Sequence, residues 1–210
     1  MRHSILIADP PWKFGDALPG KGRGAVKHYL CMPIEKIMSF LRDEHINDYL
    51  EEDAVLGMWR VASMQLEALH VVRSWGFDMP TSEIVWVKTT KDDSRVRTGM
   101  GRTVRNAHEI CLLCKRGKRP WSHFIRNHAV LSVLDAGCVP EEFEVRAPYC
   151  GHSVKPDAFK QRIDDLFAGQ AVLELFARAQ WKNWTCVGNE MPSHDAAEAV
   201  LNEHVAWGNS

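Results

Sequence analysis

Asp9-Pro10-Pro11-Trp12 is the stretch richest in chemical potential, and it follows directly on the apolar run Ile5 to Ala8. A run of that length reads as a strand, so the tetrapeptide is expected at a strand's carboxyl end. Asp9 supplies a carboxylate. Pro10 supplies a carbonyl that cannot swing away, because consecutive prolines restrict the backbone torsions on both sides of it. Two such acceptors suit an exocyclic amino group like adenine's, whose lone pair is delocalised into the ring. Taking both hydrogens turns that lone pair toward an incoming electrophile. Trp12 offers a face for an extruded base, and such stacking is worth roughly 1–3 kcal/mol. The plainer reading is a strand-ending Pro-Pro turn with an exposed Trp.

Other residues invite chemistry by position. Lys155 precedes Pro156 and a helix start, where backbone amides favour anions, so a carboxylate suits this place; the plain alternative is a solvated lysine. Arg178 follows the strand pattern Leu173 to Phe176. Asn189 and Glu190 follow the last strand, and an acidic residue so placed can accept bonds from ribose hydroxyls; otherwise the pair is a surface Gly-Asn turn. Cys111 and Cys114 form a C-x-x-C with no second pair at ribbon spacing. They read as part of a buried strand, since structural zinc needs four ligands, and no metal is expected.

The elements that must carry these residues alternate between strand and helix patterns. Strands are expected over Ile5 to Ala8, Ala54 to Trp59, Glu83 to Val87, His108 to Lys115, Ala171 to Phe176 and Trp184 to Val187. Helices are expected after Pro33 (Ile34, Ile37, Met38, Leu41), after Ser63 as N-cap (Leu66, Leu69, Val72), and from Pro156 to Phe167. Such alternation predicts an α/β fold, a mostly parallel sheet with helices on both faces. Ligands of such sheets bind outside the carboxyl ends of the strands. Two long irregular stretches, Trp12 to Cys31 and Thr89 to Val104, follow strands and are candidates for function.

Of the 210 residues, 45% are hydrophobic and 25% charged, with a net charge of −1, which is ordinary for a globular domain. No apolar run reaches membrane-spanning length. The amino terminus leads straight into a strand, so no signal peptide and a cytoplasmic location are expected. Six scattered cysteines point to reduced thiols rather than a disulfide framework. Charge is uneven along the chain. Lys88, Lys91, Arg95, Arg97, Arg102 and Arg105 cluster, with Lys115, Arg116, Lys118, Arg119 and Arg126 soon after, whereas acid collects between Asp43 and Asp53. The basic stretches suit a nucleic-acid face; ordinary solvated loops are the equal alternative.

Ala8-Asp9-Pro10-Pro11-Trp12 resembles the catalytic motif of the MT-A70 adenine methyltransferases, named for the 70-kDa subunit of the mRNA enzyme. The resemblance continues through Glu83 to Lys88, Arg105-Asn106-Ala107-His108-Glu109, His152 to Asp157, Glu174 to Arg178, Asn183-Trp184 and Gly188-Asn189-Glu190. It covers nearly all of residues 4–190 and is closest to bacterial or phage members. It implies a Rossmann-like methyltransferase fold in β-class motif order over residues 1–190. Residues 191–210 are then a tail, a peripheral helix or partly disordered. It also implies S-adenosylmethionine as cofactor and methylation of adenine N6 in nucleic acid, DNA first and RNA as the alternative. A non-catalytic nucleic-acid-binding partner subunit is the rival reading.

On that resemblance Asp9, Pro10, Pro11 and Trp12 are catalytic. Asp9, Lys155, Arg178, Gln180, Asn189 and Glu190 hold the cofactor, with Lys155 near its methionine carboxylate. Trp12, Tyr29, Ser153, Arg95, Arg97 and Arg102 meet the substrate. Glu109 matches a family acidic position between pocket and strand, with a buried structural role as the alternative. A homodimer, or a heterodimer with a related subunit, is the implied assembly. The chain departs from the mRNA enzymes after Arg178, where Ala179-Gln180-Trp181 replaces a His-Asn pair and puts that cofactor contact in doubt. No Gly-x-Gly-x-x-Gly is present, which removes the usual dinucleotide fingerprint.

Overall fold

A computed structural model of the chain describes residues 1–13, 31–89, 96, 103–129, 146–148 and 155–188. Its centre is a seven-stranded sheet in the order β5-β3-β4-β2-β1-β6-β7. The strands are β1 (His3–Ala8), β2 (Leu50–Arg60), β3 (Ser82–Thr89), β4 (His108–Arg116), β5 (Arg146–Pro148), β6 (Val172–Leu175) and β7 (Thr185–Val187). The α-helices are α1 (Ile34–Asp43), α2 (Gln65–Ser74), the single turn α3 (Trp121–Phe124) and α4 (Asp157–Leu166). β1 pairs in parallel with β2 and β6, β6 with β7, and β3 with β5. β4 alone runs against its neighbours β2 and β3. The expected α/β class with a mostly parallel sheet is therefore met, with one reversed strand inside it.

Alternation along β1 explains the layering. Leu6 and Ala8 join a cluster with Ile37, Phe40 and Leu41 of α1 and Ala68, Val71 and Val72 of α2. Ile5 and Ile7 join the opposite cluster, with Trp59, Trp86, Phe124 of α3, and Phe159 and Ile163 of α4. A strand buried on both faces reads as a continuous apolar run, which is what Ile5 to Ala8 is. The chain thus forms three layers, and the carboxyl ends of β1, β2, β3 and β6 share one edge.

Three local expectations need correction. α2 is preceded by a 3-10 turn, Ala62–Met64, and has no side-chain cap, so Ser63 lies within that turn instead of capping. Leu66 is 62% exposed; the buried stripe runs through Ala68, Val71 and Val72 and continues to Trp75. Pro33 stands at the N-cap of α1, one residue before the first turn. Among the described residues no helix is long and apolar enough to cross a membrane.

His3 staples the amino end of the sheet. Its Nδ1 donates to the Tyr49 carbonyl at 3.0 Å, and its Nε2 lies 2.9 Å from the Thr185 hydroxyl. A carbonyl only accepts, so the neutral ring carries its proton on Nδ1 and Nε2 accepts from Thr185. Burial first, against the raising bond to Tyr49, holds the imidazole below its ordinary 6.5. The unfolded chain then binds a proton more readily than the folded one, so stability falls as pH drops through 6.5 toward the depressed value. Thermal midpoints at pH 7.5 and 5.5 should differ more in the wild type than in His3→Gln; equal differences would remove His3 from the acid response.

Candidate active site

Asp9 leaves β1 on the α4 face, continuing the alternation of Ile5 and Ile7. Its Oδ2 accepts a hydrogen bond from Lys155 Nζ at 2.6 Å. Lys155 stands just before α4, with its side chain only 7% exposed. The same ammonium lies 3.1 Å from Glu109 Oε2 on β4, and Lys88 Nζ on β3 donates to Glu109 Oε1 at 2.6 Å. The antiparallel register pairs Trp86 with Glu109, which brings Lys88, two residues on along the same face, within reach of it. The outcome is a row across the sheet edge: Lys88, Glu109, Lys155, Asp9. Indole faces lie below the cations, Trp59 at 5.0 Å from Lys155 and Trp86 at 5.3 Å from Lys88, a further attraction for each ammonium.

The two carboxylates experience different fields. Burial pushes the Asp9 carboxyl up, Lys155 opposes this, Glu109 reinforces it, and the outcome lies above the ordinary 3.8. Burial also pushes Glu109 up, but Lys155 and Lys88 together outweigh it and hold Glu109 below its ordinary 4.5. Burial lowers Lys155, yet Asp9 and Glu109 outweigh that and leave it raised, hence charged. Asp9 shares one ammonium whereas Glu109 has two, which is why burial prevails at Asp9 and the cations prevail at Glu109.

Asp9 and the prolines after it are held firmly. The Pro10 carbonyl accepts the Trp12 N–H at 2.8 Å, and the Pro11 carbonyl accepts the Met32 N–H at 2.8 Å. Trp12 differs from expectation. It is 3% exposed, packs in the α1/α2 cluster, and donates its indole N–H to the Trp59 carbonyl at 3.3 Å. A large apolar ring with a bonded N–H gains more from burial than from facing water. In this structure Trp12 is an anchor for the tetrapeptide, not an exposed stacking platform.

Arg178 and Gln180 lie on the connection between β6 and β7. Arg178 is half-buried, and its charge adds to the pull of Lys155 on the Asp9 carboxyl. Gln180 is exposed and donates its amide to the Trp184 carbonyl at 2.8 Å, so that side-chain donor serves the connection itself. The sequence-based site therefore lacked two members. Lys88 falls by sequence in a basic stretch that suits a nucleic-acid face, yet it is 20% exposed and bonded to Glu109. Glu109, open by sequence between a pocket and a structural role, bridges Lys88 and Lys155. The strand alternation that sets Glu109 and Cys111 on one face was the available signal.

Other sequence-based groupings dissolve in space. β2 and β4 are antiparallel, and Arg116 pairs with Ala54, so Lys115 to Arg119 lie at the sheet end away from Asp9. There Arg116 donates to Asn47 and to the Glu51 carbonyl, and Arg119 meets Asp53. One basic residue there, Arg119, thus pairs with an acidic one far along the chain, while Arg116 is held by neutral oxygens. A cavity of about 500 Å³ also lies at this end, lined by Ser82, Glu83, Trp121 and Phe167 among others. Cys111 and Cys114 sit in opposite core clusters, as a separation of three along a strand requires, and cannot grip one ion together. Tyr29, Arg95, Arg97, Arg102, Ser153, Asn189, Glu190 and residues 191–210 lie outside the described residues.

Residues 3–190 match the MT-A70 family. The chain is 24% identical over 206 residues to "Type II methyltransferase M.MunI" of Mycoplasma sp, covering 92% of this chain and 79% of that protein. It is 28% identical over 194 residues to "N(6)-adenosine-methyltransferase subunit METTL3" of Danio rerio, covering 90% of this chain and 28% of that protein. The human METTL3 catalytic subunit is 27% identical over 197 residues, again with 28% of its length covered. The chain thus spans little more than a quarter of these longer relatives.

Proposed function

Since the chain belongs to the MT-A70 family, we propose that it is an S-adenosylmethionine-dependent methyltransferase acting on adenine N6 in nucleic acid. DNA is the first substrate and RNA the alternative. The observation that carries this reading is the Asp9 carboxylate at the carboxyl end of β1, beside the rigid Pro10 carbonyl and bonded to Lys155 at 2.6 Å. Relatives named N(6)-adenosine-methyltransferases support the adenine N6 target. The Gly-Asn-Glu ending resembles bacterial and phage members and favours DNA.

Asp9 accepts one hydrogen of the target amine. The Pro10 carbonyl, which takes the Trp12 N–H, has a second lone pair for the other. Held this way, the nitrogen presents its lone pair, and the ionised Asp9 stands ready for the proton that nitrogen sheds on methylation. S-adenosylmethionine supplies, when bound, a methyl on a sulfonium that leaves with the carbon–sulfur electron pair. The residues present fit its methionine end. α4 starts without a side-chain cap, so its first amides favour an anion, and the Lys155 ammonium immediately precedes them. Arg178 would join Lys155 there, with Asn189 and Glu190 toward the ribose.

Arg95, Arg97 and Arg102 would contact the phosphate backbone, and Tyr29 and Ser153 the base. A base in duplex must be turned out of the stack, at a cost of a few kcal/mol that phosphate contacts help to offset. We assign this unit to residues 1–190, with 191–210 as a peripheral tail. The test is incubation with methyl-labelled S-adenosylmethionine and separate pools of duplex DNA, single-stranded DNA and RNA, followed by nucleoside analysis. Label in N6-methylated adenine is expected, most strongly from DNA. Label elsewhere, or in no nucleic acid, would overturn the assignment.

A further inference from the structure

Helix α4 does more than follow Lys155. Lys160 and Asp164, four residues apart and hence on one helical face, both reach the connection between β6 and β7. Lys160 Nζ donates to Glu174 Oε2 at 2.7 Å and to the Ala179 carbonyl at 3.4 Å. Asp164 accepts two indole N–H groups, Trp184 on Oδ1 at 2.6 Å and Trp181 on Oδ2 at 3.0 Å. Lys182 adds a contact to Asp164 Oδ2 at 3.4 Å and donates to Gln161.

The connection so gripped is strained. Phe176 has φ 61 and Lys182 φ 36, a left-handed region that costs a non-glycine residue roughly 1–2 kcal/mol. Such positions persist where surrounding contacts over-determine them. The far side is equally tight. The Ala177 N–H bonds to the Val187 carbonyl at 3.0 Å, and a Cβ on Gly188 would come within 2.0 Å of the Ala177 carbonyl oxygen. Arg178 and Ala179 lie between the two strained residues.

We propose that Lys160 and Asp164 are positioning residues, holding the connection from Phe176 to Trp184 so that Arg178 meets the methyl donor alongside Lys155. One rigid helix then sets both cations. Lys155 enters directly before its first turn, and Arg178 is set through the bonds of its second and last turns. This inference rests on the methyltransferase reading, and its test separates the two.

Binding of S-adenosylhomocysteine is measured by calorimetry for the wild type, Asp164→Ala, Arg178→Ala and the double variant. Asp164→Ala should weaken binding about tenfold, the scale of one charge-assisted contact. In the Arg178→Ala background the same change should add less than about twofold, because the group it positions is gone. At saturating donor, Asp164→Ala should keep its turnover within about twofold while its KM rises, the opposite of a fold-wide defect. Asp164→Asn, which retains one of two acceptors, should fall between and serves if the alanine variant does not fold. Equal weakening in both backgrounds, or none in either, would overturn the positioning role while leaving the methyltransferase reading intact. Absence of binding by the wild type would overturn that reading, and the positioning role with it.

Discussion

Asp9→Ala is expected to fold and to lose methyl transfer by a factor of about 10²–10³ or more, the scale for removing one preorganised hydrogen-bonding partner of a transition state. The expectation follows from the bonds around Asp9. Its backbone is set by β1 on one side and by the bonded Pro10 and Pro11 carbonyls on the other, so truncation removes an acceptor without releasing the loop. Lys155 is not stranded, because Glu109 remains at 3.1 Å. The stability loss should therefore stay below the 3–5 kcal/mol typical when a buried charge loses its partner outright. Affinity for S-adenosylhomocysteine should be largely spared. Wild-type activity should also fail on the acid side earlier than an ordinary aspartate would dictate, since burial raises the Asp9 carboxyl and the protonated form cannot take the second proton. Near-normal turnover by a folded Asp9→Ala protein would remove Asp9 from the chemistry.

Lys155→Met should be the most damaging single change to stability, by about 3–5 kcal/mol. For a chain of this size that lowers the melting midpoint on the order of 10 °C. Without its ammonium, the Asp9 and Glu109 carboxylates share a buried site with Lys88 on the Glu109 side and the more distant charge of Arg178 acting on Asp9. The sign of the pH response distinguishes this from a packing defect. Losing Lys155 raises both carboxyl pKa values, that of Asp9 from a level already above its ordinary one, so Asp9 in the folded variant binds a proton more readily than in the unfolded chain. The variant's stability is then lost as pH rises through the carboxyl range and regained on acidification. The gap to the wild type should narrow between pH 7 and pH 5 in thermal melts. The variant should also bind S-adenosylhomocysteine more weakly by about 1.5–3 kcal/mol. A gap that stays constant with pH would mean that the row of charges is not coupled as its distances imply.

How much of this was legible beforehand depends on how local each feature is. The run Ile5 to Ala8 is apolar at every position, so a strand buried on both faces, with Asp9 at its carboxyl end, could be read directly. Pro156, opening a helical stretch that runs through Ile163 to Phe167, likewise marks α4. The ordered short motifs from Asp9 to Glu190 were enough to identify the family, because each is a contiguous string. β5 is three residues long, too short to carry a period. The direction of β4 was hidden as well, since alternation is the same whichever way a strand runs. On α2 both Leu66 and Ala68 suit a helix, and packing alone decided that Ala68 is buried and Leu66 exposed.

The site divides along the same line. Asp9 and Lys155 could be nominated separately, but their bond joins residues 146 positions apart. Nothing in either neighbourhood encodes it. Glu109 and Lys88 became members only through the antiparallel register of β3 and β4, which brings one of the basic residues after Val87 inward and buries its charge against an acid. Trp12 offers a π face in the sequence, and tertiary packing turns that face into the core. Of the basic residues at and after the end of β4, the fold sets Arg119 against the Asp53 carboxylate and Arg116 against the Glu51 backbone carbonyl. Side-chain chemistry and periodicity are properties of short segments and survive in the sequence. Which charges neutralise one another, and which aromatic ring keeps a free face, depends on distances between segments, and those exist only once the chain has closed.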